Sequence, residues 1–133
     1  MRRRHWRSGH FLTACVLSSI ACSGATTVCT LIGCESGVTV HLASLPNGPF
    51  RVDVKPRGAS DVAYVYECSD AAHCQQDIFF PGLITDYLTV TVQAGAVSRD
   101  TEIVQVQYTS HRPNGPNCEP DCRTANVTAQ VPG

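Results

Sequence analysis

The chain has 133 residues, eight of them cysteine, and its ten basic and 11 acidic side chains leave a net charge of −1. That length is enough for one domain, and a charged fraction of 16% is too low for a disordered polyelectrolyte. The near-zero charge removes the usual electrostatic argument for nucleic-acid binding. No apolar run reaches the roughly 18 residues that a membrane-spanning helix needs.

The first 21 residues have the pattern of a secretory signal peptide. Four arginines lie within residues 2–7, and a short, mostly apolar stretch follows from Phe11 to Ala21. A basic head followed by a short apolar segment is typical of export signals. Removal of residues 1–21 leaves six basic and 11 acidic side chains, a net charge of −5.

The end of this signal resembles a bacterial lipobox. In Leu17-Ser18-Ser19-Ile20-Ala21-Cys22, the resemblance implies cleavage before Cys22, whose thiol then carries a diacylglycerol. Ser19 departs from the family, which usually has leucine there. Ser23 is not the aspartate that retains such proteins at the inner membrane, so the resemblance favours the outer membrane.

Two other cleavage sites stay open. Leu12-Thr13-Ala14-Cys15 matches the lipobox letter by letter, but only one apolar residue precedes it. Cleavage after Ser23-Gly24-Ala25, a small-x-small site, would release a soluble secreted protein.

From residue 37 onward the dominant hydrophobic period is two, which indicates half-buried strands. Seven runs have this character or stay apolar over strand length: 38–42, 50–55, 62–67, 78–80, 88–93, 104–108 and 127–131. The run 62–67 is less regular and predicts a central strand that is covered on both faces. The tetrapeptide Pro-Asn-Gly-Pro stands twice, at 46–49 and 113–116. We interpret both copies as turns rather than as an internal repeat.

These strands predict an all-β fold, an immunoglobulin-like antiparallel β-sandwich of about seven strands that is braced by disulfides. A small closed barrel is the alternative. The predicted division of the chain is a lipoprotein signal peptide at 1–21, a short tether at 22–33 and the sandwich domain at 34–133.

Six cysteines follow the predicted cleavage site, as three neighbouring pairs: Cys29 and Cys34, Cys68 and Cys74, Cys118 and Cys122. An exported chain can join all six in disulfides. The short loop after the third strand allows Cys68 to bond to Cys74. Because the first and last strands of such sandwiches often lie side by side, we expect Cys34 to pair with one of the last two cysteines. Cys29 then takes the other.

Metal binding is the alternative use of these cysteines. Cys118 and Cys122 have the spacing of a zinc knuckle, and His73 and His111 could complete a set of ligands. The spacing between Cys68 and Cys74 is too wide for a second knuckle, and an oxidising compartment favours disulfides. We therefore predict no metal site and no cofactor.

The sequence also lacks the common catalytic motifs. It contains no Gly-x-Ser-x-Gly turn, no phosphate-binding glycine loop and no calcium loop. We expect His41, His73 and His111 to be solvated surface residues, and we predict that the protein is not an enzyme. A small hydrolase is the minor alternative.

The segment 114–123, with Gly33-Cys34-Glu35-Ser36-Gly37 upstream, is similar to a group of small, uncharacterised bacterial lipoproteins. The resemblance covers most of the chain after the signal, and it assigns no functional residue. It implies a lipid-anchored envelope protein. The predicted function is a non-catalytic binding or structural module for an envelope protein or glycan. A soluble secreted inhibitor or accessory domain is the alternative.

Overall fold

The computed structural model describes residues 28–70 and 72–133, so the predicted signal peptide and the predicted lipidation site Cys22 lie outside the described residues. The described chain forms eight strands: β1 (Gly37–Leu42), β2 (Phe50–Pro56), β3 (Tyr64–Cys68), β4 (Asp77–Pro81), β5 (Tyr87–Ala94), β6 (Val97–Val104), β7 (Thr109–His111) and β8 (Cys122–Ala129). They make two four-stranded sheets, ordered β4-β1-β8-β7 and β3-β2-β5-β6. The sheets share one apolar core, which confirms the predicted disulfide-braced β-sandwich.

The first and last strands lie side by side, as the sequence predicted. β1 and β8 are parallel neighbours at the centre of the first sheet, with Val40 opposite Val127. All other strand pairs in both sheets are antiparallel. This parallel pair places the beginning of β1 beside the beginning of β8, and so brings Cys34 close to Cys122.

The core lies between the two sheets and follows the alternation along the strands. In β2 and β5, Val52, Val54, Val90 and Val92 are fully buried, because their side chains point towards the other sheet. Their neighbours in sequence point outward and are mostly polar. The alternation of period two therefore determines which face of each sheet is covered.

β6 is a strand that the hydrophobic pattern missed. It is the outer strand of the second sheet, and its residues are exposed or half-buried along their whole length. Two of its core-facing positions, Arg99 and Thr101, are polar, so apolar and polar residues do not alternate along it and periodicity carries no signal. Arg99 lies opposite Val92, on the core-facing side of this edge. An inward-pointing charge of this kind discourages further strand pairing.

The predicted strand at 104–108 is wrong. The chain leaves β6 at Gln105, whose φ of 61° is left-handed and ends the extended conformation. Val106 is buried, and its N–H donates to the Asp86 carbonyl at 2.8 Å. The Tyr108 hydroxyl bonds to the backbone between β4 and β5. The apolar residues of this run fill the end of the core from a loop.

The prediction for residues 62–67 is corrected in a similar way. β3 is an edge strand and not a central one, because it pairs with β2 on one side only. Tyr64 and Tyr66 pack against the core, while Val65 between them is exposed. Tyrosine rings supplied the apolar character that made this strand look covered on both faces.

Strand connections define two ends of the sandwich. The N-terminal end carries the beginnings of β1 and β8 and the loops 57–63, 82–86 and 112–121. The Gly82 N–H donates to the Ser36 carbonyl at 2.8 Å and extends the pairing of β1 with β4 by one residue at this end. The opposite end carries the loops 43–49 and 69–76.

Candidate functional site at the N-terminal end

Two disulfides fasten the segment before β1 to the loop before β8. The outer bridge joins Cys29 to Cys118 with a Cα–Cα distance of 5.6 Å, and the inner bridge joins Cys34 to Cys122 at 6.0 Å. This is one of the two pairings that the sequence left open. A third disulfide joins Cys68 to Cys74 across a short loop, as predicted. All six cysteines of the described chain are therefore in disulfides.

A single asparagine side chain supplements the outer bridge. Asn114 is the one buried polar residue of the described chain, at 9% exposure. Its Oδ1 accepts from the Thr30 hydroxyl at 2.6 Å and from the Ile32 N–H at 2.9 Å. Its Nδ2 donates to the carbonyls of Ile32 at 3.0 Å and Glu119 at 2.6 Å. Asn114 thus satisfies both backbone groups of Ile32, as a neighbouring strand would.

The sequence predicted a turn around Asn114 and gave no sign of this role. Its tetrapeptide is the same as the one at 46–49, so local residue types do not separate a solvated turn from a buried clamp. The distinguishing signal was the nearby Cys118, which brings residues 29–32 alongside. The position of Cys118 could indicate this role only once Cys29 was known to be its disulfide partner.

An ion pair closes the same loop. The Arg112 guanidinium donates to the Asp121 carboxylate at 2.8 Å. This hydrogen bond holds the pKa of Asp121 below its usual range and raises the pKa of Arg112. Both groups keep their charges around neutral pH, so the loop 112–121 is tied across its base.

The segment that these bonds hold is apolar and exposed. The side chains of Val28, Leu31 and Ile32 are 88%, 100% and 55% exposed. Residues 28–34 carry no charged side chain. The segment is fixed at Cys29, Thr30 and Ile32. Its apolar side chains therefore stay exposed to the surroundings and do not fold back onto the core.

A polar cleft of about 300 Å³ lies on the outer face of the second sheet, near the N-terminal end. Its walls include Lys55, Thr89 and Glu102, which stand in one row across β2, β5 and β6. The Arg57 guanidinium lies 5.1 Å from the centre of the Tyr87 ring at the edge of the cleft. A cation, a carboxylate, a hydroxyl and an aromatic ring in one shallow cleft suit a polar ligand.

The three histidines are not brought together. His41 on β1 is opposite Thr128, and His111 on β7 is opposite Cys122, so the two are roughly 20 Å apart along β8. His73 lies in the loop between β3 and β4. The expectation that all three are surface residues holds for His73 and His111, which are exposed, whereas His41 is half-buried.

Two of these histidines pair with carboxylates. The Nδ1 atom of His41 lies 2.6 Å from Asp77 on the neighbouring strand, and that of His73 lies 2.8 Å from Asp70. The His73 hydrogen bond holds the pKa of Asp70 below its usual value. The two pairs lie on different elements, and the structure joins neither pair to the cleft or to the N-terminal segment.

The alternative metal ligands are also dispersed. Cys118 and Cys122 lie in different disulfides, and His73 and His111 belong to different loops and strands. Within residues 28–70 and 72–133, no three histidine, cysteine or acidic side chains converge as metal ligands. Over the same residues, no helix has the length and apolar character to cross a bilayer.

The three disulfides together indicate an extracytoplasmic, non-reducing environment. The chain matches no protein-family model, no curated protein and no solved structure.

Proposed function

We propose that this protein is a lipid-anchored module of a bacterial envelope, attached through Cys22, with a binding or structural role and no catalytic one. The observation that carries the proposal is the double bridging of the segment that follows Cys22. The outer bridge begins at Cys29, seven residue steps after Cys22. From Cys29 onward the two disulfides fix the chain to the sandwich, so tension from a lipid at Cys22 would pass to the folded domain through covalent bonds.

The length of the connection supports a position close to a membrane. Seven residue steps span at most about 23 Å when fully extended. A diacylglycerol on Cys22 would hold the N-terminal end within that distance of the bilayer surface. Two acyl chains make release slow, because each buried methylene contributes about 0.8 kcal/mol.

A binding role is supported by the polar cleft and by the dispersed catalytic candidates. Arg57 is stacked on Tyr87 at 5.1 Å, so it is already positioned for a ligand. The row of Lys55, Thr89 and Glu102 offers both charges and a hydroxyl within the same cleft. A glycan or a polar segment of an envelope protein has matching groups. The cleft therefore favours binding over a purely structural role.

Lipidation is tested by metabolic labelling with radioactive palmitate in a bacterial host. We expect label in the natural protein and in Cys15→Ser, and loss of label in Cys22→Ser. Cys15→Ser is the matched control, because Cys15 belongs to the competing lipobox. Loss of label only in Cys15→Ser would identify Cys15, and not Cys22, as the lipid-carrying residue. No label in any variant would favour the soluble secreted alternative and overturn the proposal.

A further inference from the structure

We propose that the N-terminal end of the sandwich lies against the lipid bilayer and that Leu31 and Ile32 enter the interfacial layer. The inference rests on the proposed anchor at Cys22 and adds a specific contact surface. The anchor alone would leave the domain free to tumble at the end of its tether. The contact would give it one orientation.

The apolar segment around Leu31 and Ile32 is held in a fixed position. Leu31 is fully exposed and Ile32 is 55% exposed. The outer bridge fixes Cys29, and Asn114 fixes Thr30 and the backbone of Ile32. Single exposed apolar residues are common on soluble domains. Here, adjacent ones are held outward by a disulfide and three hydrogen bonds, which a mobile, unused terminus does not need.

Exposed apolar side chains are concentrated at the N-terminal end of the sandwich. Of the ten large ones in the described chain, six lie at the N-terminal end: Val28, Leu31, Ile32, Val62, Ile84 and Val104. The last three come from the loop after β2, the loop after β4 and the end of β6. The strand connections thus place apolar groups from both sheets at the end where the N-terminal segment joins.

The short chain between Cys22 and Cys29 identifies the bilayer as the surface that this end contacts. The bilayer lies within about 23 Å of Cys29 whenever Cys22 is acylated, because seven residue steps reach no further. No other surface has to be near this end of the molecule. Residues 28–34 are uncharged, so this segment itself needs no anionic lipid headgroup. A zwitterionic bilayer is the partner that this chemistry fits.

Tryptophan substitution tests the contact directly. The one tryptophan of the chain is Trp6, in the signal peptide, so the processed protein has none. Leu31→Trp places a reporter on the proposed surface. Leu45→Trp is the matched control, since Leu45 is an exposed leucine at the opposite end. Both acylated proteins are reconstituted in phosphatidylcholine vesicles, and emission and quenching by brominated lipids are measured.

We expect a blue-shifted, lipid-quenched emission from Leu31→Trp and water-like emission from Leu45→Trp. Water-like emission from both would overturn the contact while leaving the anchor intact, because the vesicles would still retain the protein. Quenching of both would overturn the proposed orientation. The anchor itself is tested separately by palmitate labelling, so the two failures are distinguishable.

A second measurement removes the anchor. The exported Cys22→Ser protein should bind neutral vesicles weakly. Replacing Leu31 and Ile32 together by asparagine should lower that affinity about tenfold or more, because the buried apolar area is lost. Replacing Leu45 and Val97 at the opposite end is the control and should leave it unchanged. Equal losses in the two double variants would contradict the proposal.

Discussion

The two copies of Pro-Asn-Gly-Pro show how one short sequence serves two purposes in this molecule. Both copies form turns, and Gly48 and Gly115 have the same φ of 107°. Asn47 is exposed to solvent in the loop between β1 and β2. Asn114 is buried and makes four hydrogen bonds. The local residues determine the backbone of each turn, and the surrounding disulfides determine what its asparagine does.

The largest expected effect comes from removing the disulfides that distinguish the second copy. The two bridges close almost the same loop, with separations of 89 and 88 residues. While one bridge is present, the other closes only the small ring of residues 29–34 and 118–122. By chain entropy, losing either bridge lowers the free energy of unfolding by about 3 kcal/mol, and losing both lowers it by about 7 kcal/mol.

Urea unfolding of three proteins checks this estimate: a cysteine-to-serine pair for each bridge and the fourfold variant. The loss in the fourfold variant should exceed the sum of the two others. A strictly additive result would mean that the bridges do not share a loop constraint. The Cys68–Cys74 pair, which spans six residues, provides a comparison of similar ring size.

The next largest effect separates the two asparagines. Asn114→Asp replaces a donor by an acceptor that faces the carbonyls of Ile32 and Glu119, so we expect a loss of about 2–4 kcal/mol in unfolding free energy. Asn47→Asp is the matched change in the solvated copy and should stay within about 0.5 kcal/mol. Chemical denaturation of both variants measures the difference. Equal values would show that the hydrogen bonds of Asn114 contribute little.

Replacing Gly48 or Gly115 by alanine should, in contrast, lower the stability of the protein by a similar amount in the two copies. An added Cβ at Gly48 or Gly115 meets no atom within 4 Å, so its cost is that of the backbone conformation alone. At a φ of 107° that cost is about 1–3 kcal/mol for each substitution. Thermal melting of Gly48→Ala and Gly115→Ala should therefore give matching losses. A difference above about 1 kcal/mol would reveal a tertiary contribution.

The smallest effect is a dependence on pH that only the second copy has. The Arg112 hydrogen bond lowers the pKa of Asp121 below the ordinary value of 3.8. A carboxyl with a lowered folded-state pKa stabilises the fold above its unfolded-state pKa, and that contribution is lost as the pH falls through the folded-state pKa. The loop 43–49 contains no titratable residue.

Melting temperatures measured from neutral pH down to about pH 2 should fall less steeply in Asp121→Asn than in the natural protein. Asp70→Asn is a useful second variant, because the pKa of Asp70 is also lowered, in that case by His73. An unchanged slope in Asp121→Asn would mean that the ion pair persists in the unfolded chain.

The fold was predictable wherever one face of a strand is covered. Val38, Val52 and Val90 alternate with polar neighbours because a sandwich buries one face of each sheet. β6 escaped prediction because two of its core-facing positions, Arg99 and Thr101, are polar, so its sequence shows no apolar alternation. The run at 104–108 gave a false strand prediction. Val106 and Tyr108 alternate with polar residues and pack against the core, but they do so from a loop.

The N-terminal end of the sandwich was only partly predictable. Cysteine spacing and the expected neighbourhood of the first and last strands restricted the disulfides to two pairings. The role of Asn114 could not be predicted, because it depends on Ile32, which lies 82 residues away. Likewise, the exposure of Leu31 became meaningful only once its segment was found to be fixed.

The parallel alignment of β1 and β8 has a mechanical consequence. The inner bridge joins Cys34, three residues before β1, to Cys122, the first residue of β8, so tension on the chain before Cys34 reaches both strands together. Peeling β1 away from the sheet would require β8 to move with it. A force applied before β1 is therefore resisted by covalent sulfur linkages and not by the hydrogen bonds of a single strand alone.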